Sequence, residues 1–141
     1  MIEVLAMSQM VQNKILQEPV IFTSNENDNS SPLSAIGNSF VIHEWKGSGP
    51  DYMHVHYADD EAWYVLEGML TFKFTDRTVN ASAGTTVFVP AGVAHTYFAD
   101  EAARYLMILT PRLNDLISEL HTTPYNKHGE VMKKYQSEIL S

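Results

Sequence analysis

The hydrophobic and polar positions between residues 36 and 110 follow the two-residue period of β-strands. Short runs rich in Val, Tyr, Phe, Trp, Ile and Thr alternate with Gly, Pro and Asp, and the apolar period of a helix is missing from this stretch. Seven segments fit strands, at residues 40–45, 52–57, 62–66, 69–75, 85–89, 95–98 and 103–109. The pattern predicts an all-β fold, a barrel of two facing antiparallel sheets.

After this stretch the apolar residues change to a helical period. Thr110 is a favourable N-cap, Pro111 suits the first helical position, and one helix face carries Leu113, Leu116, Ile117 and Leu120. A second helix is predicted over residues 129–140. The barrel at residues 36–110 is therefore followed by a C-terminal helical extension, residues 111–141.

Residues 1–35 are expected to form an arm, a short strand and a polar loop. A weak amphipathic pattern covers residues 1–17, residues 19–23 fit a short strand, and residues 24–34 are polar with no apolar period. The apolar positions of the arm, the sheet edges and the amphipathic helices exceed what one barrel can cover. We therefore expect a homodimer.

Composition narrows the classes of function. The 141 residues suit one domain, and the absence of cysteine excludes disulfides, thiolate catalysis and iron–sulfur clusters. Nine Lys and Arg against 17 Asp and Glu give a formal net charge of -8, which disfavours nucleic acid and anionic membranes as partners. The N-terminus carries Glu3 where a signal peptide would be cationic, so a cytoplasmic protein is expected.

Two spaced motifs carry the candidate chemistry. The first, His-x-His-x4-Glu-x6-Gly, runs from His54 to Gly68, and the second, Gly-x5-Pro-x-Gly-x2-His, runs from Gly84 to His95. His54 and His56 lie two residues apart in a predicted strand, so both side chains point to the same face. A lone pair of histidines is more often an ordinary surface or core pair, but the two motifs together are a strong signal.

These motifs resemble the paired motifs of the cupins, small β-barrel proteins also called double-stranded β-helices. The resemblance covers residues 40–111 and implies that His54, His56, Glu61 and His95 are metal ligands. The residues around the first motif, together with the helical tail, are similar to the quercetin-dioxygenase-like branch. Two positions depart from the pattern: Gly49 precedes His54 by four residues rather than five, and Ala99 occupies the place of the usual final Asn.

Three imidazoles and one carboxylate suit one divalent transition metal, Fe, Mn, Ni, Co, Cu or Zn, rather than Mg or Ca. Ligands on one side of the ion leave a position open for a small-molecule substrate. The resemblance implies a metal-dependent dioxygenase acting on a small aromatic or enolisable substrate, with Glu61 as the catalytic proton acceptor. Two alternatives stay open, because a fold does not decide a reaction: a non-catalytic module that binds a small ligand or a metal, and an isomerase or lyase.

Strand parity predicts the walls of a substrate pocket. Each of the predicted lining residues could equally be ordinary core: Phe72, Phe74, Tyr97, Tyr105 and Met107. Trp63 and Tyr64 must face opposite sides of their strand, and parity leaves open which of them faces the cavity. Acidic residues outside the motif ligands are expected in solvated turns or strand faces: Asp59, Asp60 and Glu67. The histidines without a partner at ligand spacing are expected to be structural or at the surface: His43, His121 and His128.

Overall fold

The computed structural model describes residues 15–24 and 32–141, and within them the chain forms two five-stranded antiparallel sheets. The strands in chain order are β1 (Ser34–Ile36), β2 (Val41–Trp45), β3 (His54–His56), β4 (Glu61–Glu67), β5 (Met69–Phe74), β6 (Thr78–Ser82), β7 (Thr86–Val89), β8 (His95–Ala99), β9 (Arg104–Leu109) and β10 (Ser137–Ile139). The first sheet has the order β1-β2-β9-β4-β7, and the second has the order β10-β3-β8-β5-β6. The predicted all-β fold of two antiparallel sheets is confirmed.

The segment after β9 is helical, as the sequence predicts, but only in part. Helix α1 (Pro111–His121) begins at the predicted cap, where the Thr110 hydroxyl accepts a hydrogen bond from the Leu113 N–H. A 3-10 turn (Tyr125–Lys127) and helix α2 (His128–Lys134) follow. Among the described residues, no helix is long and apolar enough to cross a membrane.

All seven predicted strands are present, with ends that differ by a few residues, and the structure adds three more. Strand β6 lies at the edge of its sheet and is mostly exposed, so its sequence carries little apolar alternation. Strand β1 is only three residues long and pairs with β2. The third additional strand, β10, lies inside the predicted second helix.

Two predictions at the ends of the chain are wrong. The structure has no strand at residues 19–23, although the Leu16 N–H donates to the Ile36 carbonyl oxygen nearby. The predicted helix over residues 129–140 ends at Lys134; Gln136 then takes φ 57° and the chain enters β10. The free backbone edge of β3 accounts for this difference, because β10 pairs with it. Most of the predicted arm and polar loop lies outside the described residues.

The core lies between the two sheets and is rich in aromatic rings. On β9, Tyr105, Met107 and Leu109 are buried while the residues between them are half-buried, as the period of a strand requires. Trp63, on β4 of the same sheet, packs edge-on against two rings of the facing sheet, Phe72 with ring centroids 4.9 Å apart and Tyr97 at 5.4 Å. Such pairs fix the ring orientations and give the cavity described below a rigid floor.

Asp59 connects the barrel to helix α1. Its side chain accepts a hydrogen bond from the Thr110 hydroxyl at 3.0 Å and lies 3.0 Å from Nε of Arg112. Asp59 is only 5% exposed, so the expectation of a solvated turn is wrong for this residue. Asp60 is exposed as expected and accepts a hydrogen bond from the Ala91 N–H. These contacts of the buried Asp59 carboxylate at the helix N-terminus hold α1 over the barrel.

Candidate metal centre and cavity

Three strands bring the four predicted ligands together. His54 and His56 begin and end β3, His95 opens the neighbouring strand β8 directly opposite His54, and Glu61 opens β4 of the other sheet. One ligand atom from each of these side chains lies within 4.8 Å of all the others, and all four residues are buried. The barrel therefore gathers four groups that ordinarily bind a transition metal.

Two glycines near the site, Gly68 and Gly49, occupy positions where a side chain would clash with its surroundings. Gly68 joins β4 to β5 with φ 70°, and a Cβ there would lie 2.6 Å from the Ala103 backbone nitrogen. Gly49 has an ordinary φ, but a Cβ at this position would lie 2.5 Å from the ring of Tyr97. Although Gly49 stands one residue closer to His54 than the family pattern has it, its lack of a side chain lets the 46–50 loop approach Tyr97.

The carboxylate of Glu61 lies at the centre of the cluster. Its Oε2 atom is 2.9 Å from Nε2 of His56 and 3.2 Å from Nε2 of His95. Neither contact has the alignment of a hydrogen bond, and both Glu61 Oε2 and His95 Nε2 are buried without a hydrogen-bond partner among the described residues. Unpaired buried polar atoms are costly, and a cation between them would satisfy both. The donor set and these atoms fit a divalent metal ion.

The outer nitrogen of each imidazole has its own partner. Nδ1 of His54 donates to the Tyr52 carbonyl oxygen at 3.2 Å, and Nδ1 of His95 donates to the Val93 carbonyl oxygen at 2.9 Å. Nδ1 of His56 lies 2.8 Å from the hydroxyl of Ser137. Because a carbonyl can only accept, His54 and His95 hold their protons on Nδ1 when neutral, which leaves the Nε2 lone pair for a metal.

Electrostatics prepares the cluster for a cation. Burial, together with the neighbouring His95 and His56, lowers the pKa of His54 to about 3, so this imidazole is neutral at neutral pH. Burial alone would raise the pKa of Glu61, but its contacts with His56 and His95 outweigh burial and hold that pKa below its usual value. Burial opposes the charged form of His95 as well, but Glu61 raises the net pKa. A bound metal ion would replace the proton of His95 as the positive charge facing the Glu61 carboxylate.

A cavity of about 410 Å³ lies beside the cluster and includes His54, His56 and Glu61 in its lining. Of the predicted pocket residues, Tyr97, Tyr105 and Met107 line it. Phe72 and Phe74 are not among its lining residues: Phe72 is fully buried behind Trp63 and Tyr97, and Phe74 stacks on Phe72. Parity places these two rings on the inner face correctly, but other rings lie closer to the cavity. That distinction depends on packing depth, which parity does not contain.

The structure decides between Trp63 and Tyr64. Trp63 is fully buried and lines the cavity, whereas Tyr64 is 38% exposed. Another wall of the cavity is formed by the C-terminal helices and the 3-10 turn between them. They contribute residues outside the sequence motifs: Leu116, Ile117, Leu120, His121, Tyr125, His128 and Met132. His121 and His128, expected to be structural or at the surface, are thus cavity residues. His43 is structural, because Ser34 and Asn114 hold its ring nitrogens at 3.0 and 2.9 Å.

Tyr52 also belongs to the cavity wall and was missed by motif analysis. Its hydroxyl lies 2.9 Å from Nδ1 of His128, whose Nε2 donates to the Thr123 carbonyl oxygen at 3.1 Å. Because Nε2 carries the proton of a neutral His128, the Tyr52 hydroxyl donates to Nδ1. A signal was present in the sequence: Tyr52 precedes His54 by two residues, the spacing of residues that share a strand face.

Comparisons with known proteins agree with the barrel. Residues 40–109 match the cupin domain family. An uncharacterised protein of Streptomyces coelicolor is 34% identical over 56 residues, which are 39% of this chain and 53% of that protein, so the match spans about half of the relative's length.

Among solved structures, a cupin-2 domain containing protein from Shewanella frigidimarina is 29% identical, with a TM-score of 0.49 over 60% of this chain and 83% of that chain. An RmlC-like cupin from the same organism is 20% identical, with a TM-score of 0.49 over 68% and 95%. The polyketide cyclase RemF from Streptomyces resistomycificus is 26% identical, with a TM-score of 0.46 over 52% and 56%. The family match covers eight of the ten strands of the two sheets and all four candidate ligands, and residues 40–109 of this chain are therefore a cupin domain.

Proposed function

We propose that this protein is a metal-dependent enzyme of the dioxygenase type that acts on a small aromatic or enolisable substrate. One observation carries the proposal: three members of the four-ligand cluster line a cavity large enough for a small organic molecule. A purely structural metal site would be closed on all sides by protein ligands. Here an ion at the cluster would face the cavity.

The walls of the cavity favour a flat, largely uncharged substrate. Trp45, Trp63, Tyr97 and Tyr105 contribute rings, and α1 and α2 contribute aliphatic and thioether side chains. Lys46 is the sole lysine or arginine among the described lining residues, and it is exposed. Such a lining offers large contact area to an aromatic ring and little to a multiply charged anion.

A divalent transition metal, when bound, supplies Lewis-acid and redox chemistry toward a substrate oxygen. The chain's own part is to hold the substrate and to move one proton. Glu61 receives the proton that a substrate hydroxyl loses, because its carboxylate is ionised, buried and at the edge of the cavity. The rings around it exclude water and orient the substrate toward the cluster.

Oxygen uptake with a flavonol tests this function. The protein loaded in turn with Fe, Mn, Ni, Co, Cu or Zn is expected to consume oxygen while the absorbance of the flavonol falls, with at least one metal other than Zn. Chelator-treated protein is the first control. A flavone without the 3-hydroxyl group is the second, since it has no enolisable hydroxy-ketone. Absence of uptake with every metal, despite flavonol binding, would favour a non-catalytic binding module; conversion of a substrate without oxygen would favour an isomerase or lyase.

We also propose that the protein is a homodimer. The outer face of the first sheet carries a row of apolar side chains set by the strand register, Ile42, Ile108, Ala62 and Phe88, and Phe88 is 61% exposed. An apolar row of this kind favours self-association. Light scattering at micromolar concentration is expected to give twice the chain mass of 15.9 kDa. A single-chain mass would refute the dimer.

A further inference from the structure

We propose that Ser137 positions His56 for metal binding. The C-terminal strand β10 therefore contributes to the metal centre. The inference rests on the proposed metal site but not on the proposed reaction. It concerns a residue outside both sequence motifs, 81 positions away from the histidine it contacts.

Strand β10 runs antiparallel to β3, the strand that carries two of the candidate ligands. In this register Ser137 lies opposite His56 and Ile139 lies opposite His54. Ser137 is 3% exposed, and its hydroxyl is 2.8 Å from Nδ1 of His56. The hydroxyl therefore meets the ring on the side facing away from Glu61.

The direction of this hydrogen bond follows from the second contact of the serine. The Ser137 hydroxyl also lies 3.2 Å from the Tyr135 carbonyl oxygen, which can only accept. Because a hydroxyl has one proton and donates it to Tyr135, its oxygen accepts a proton from Nδ1 of His56. The proton of a neutral His56 is then on Nδ1, and the Nε2 lone pair faces the cluster beside Glu61.

His56 differs in this respect from the other two histidines. His54 and His95 are oriented by backbone carbonyls, which a substitution does not remove, whereas His56 is oriented by a side chain. Backbone hydrogen bonds on both sides hold β10 in place without the serine hydroxyl: the Tyr57 N–H donates to Gln136 at 2.9 Å, and the Leu140 N–H donates to Met53 at 2.8 Å. Removal of the hydroxyl should therefore leave β10 paired.

The test measures zinc affinity by competition with a chelator. Ser137→Ala is expected to bind zinc about 10- to 100-fold more weakly than the unchanged protein, the usual effect of removing an outer partner of a metal-bound histidine. Ser137→Thr and Ser137→Val form a matched pair of equal volume, of which only Thr keeps the hydroxyl. Thr is expected to bind zinc more tightly than Val by a similar factor. Tyr57→Phe removes a second side-chain link to β10 from the residue that follows β3, the 2.6 Å hydrogen bond to Glu138, and should leave zinc affinity unchanged.

Nuclear magnetic resonance of the zinc-loaded protein gives a second measurement, one that general loss of packing would not mimic. The Nδ1–H proton of His56 should exchange slowly in the unchanged protein and in any folded Thr variant, and rapidly in Ser137→Ala. Equal zinc affinity in the unchanged protein and Ser137→Ala, with the Nδ1–H proton still protected, would overturn the role of Ser137. Zinc binding by neither protein would overturn the metal site as well. Failure of flavonol turnover alone would leave the inference intact.

Discussion

Replacing His95 with alanine is expected to abolish stoichiometric metal binding. Its imidazole is 1% exposed, its Nε2 atom faces Glu61 at 3.2 Å, and its ring centroid is 4.5 Å from that of His54. Without His95, three ligands from two strands must hold a labile ion. Metal affinity should therefore fall by more than roughly 100-fold, the upper range seen when only the outer hydrogen-bond partner of a metal-bound histidine is lost. Elemental analysis after dialysis against buffer measures the metal content. His54→Ala should behave alike.

His43→Ala is the matched control for this loss. His43 is equally buried, at 2% exposed, but its hydrogen bonds go to Ser34 and Asn114, outside the cluster. This variant is expected to lose stability and keep its metal. Undiminished metal content in His95→Ala would show that the second motif has been misread.

Glu61→Gln is expected to reduce the rate of flavonol-dependent oxygen uptake far more than it reduces metal content. Glutamine keeps a ligating oxygen in nearly the same place, but it cannot accept a proton. Loss of a general base usually lowers a rate by about 10²- to 10⁴-fold, and a fall within that range is expected here. The measurement is the rate per bound metal ion, with metal content determined on the same sample.

Glu61→Ala provides the comparison, because it removes the ligating oxygen together with the base. It should lose metal as well as activity. If Glu61→Gln loses metal and rate in equal proportion, Glu61 acts as a ligand only, and the proton must go elsewhere. Tyr52 would then be the next residue to test, because its hydroxyl is held in the cavity wall by the hydrogen bond that it donates to His128.

Local pattern was sufficient for the barrel, and the resemblance to the cupin motifs supplied the four candidate ligands. Alternation along β9 places Tyr105 and Met107 on the inner face, because successive side chains on a strand must point to opposite sides. Spacing alone places His54 and His56 on one face. The absence of cysteine limits any metal ligand to His, Asp or Glu, and the helix start at Thr110 follows from its capping chemistry.

Tertiary structure decided the parts that depend on which distant segments meet. The apolar positions of residues 131–139 have a spacing compatible with a helix, yet residues 137–139 form β10 because the open edge of β3 offers hydrogen-bond partners there. The burial of Asp59 depends on Arg112 and Thr110, and the place of Phe72 behind Trp63 depends on the facing sheet. Periodicity says which face of an element is buried, but it does not say what covers that face. The contact between Ser137 and His56 is therefore invisible in the sequence and evident only in the fold.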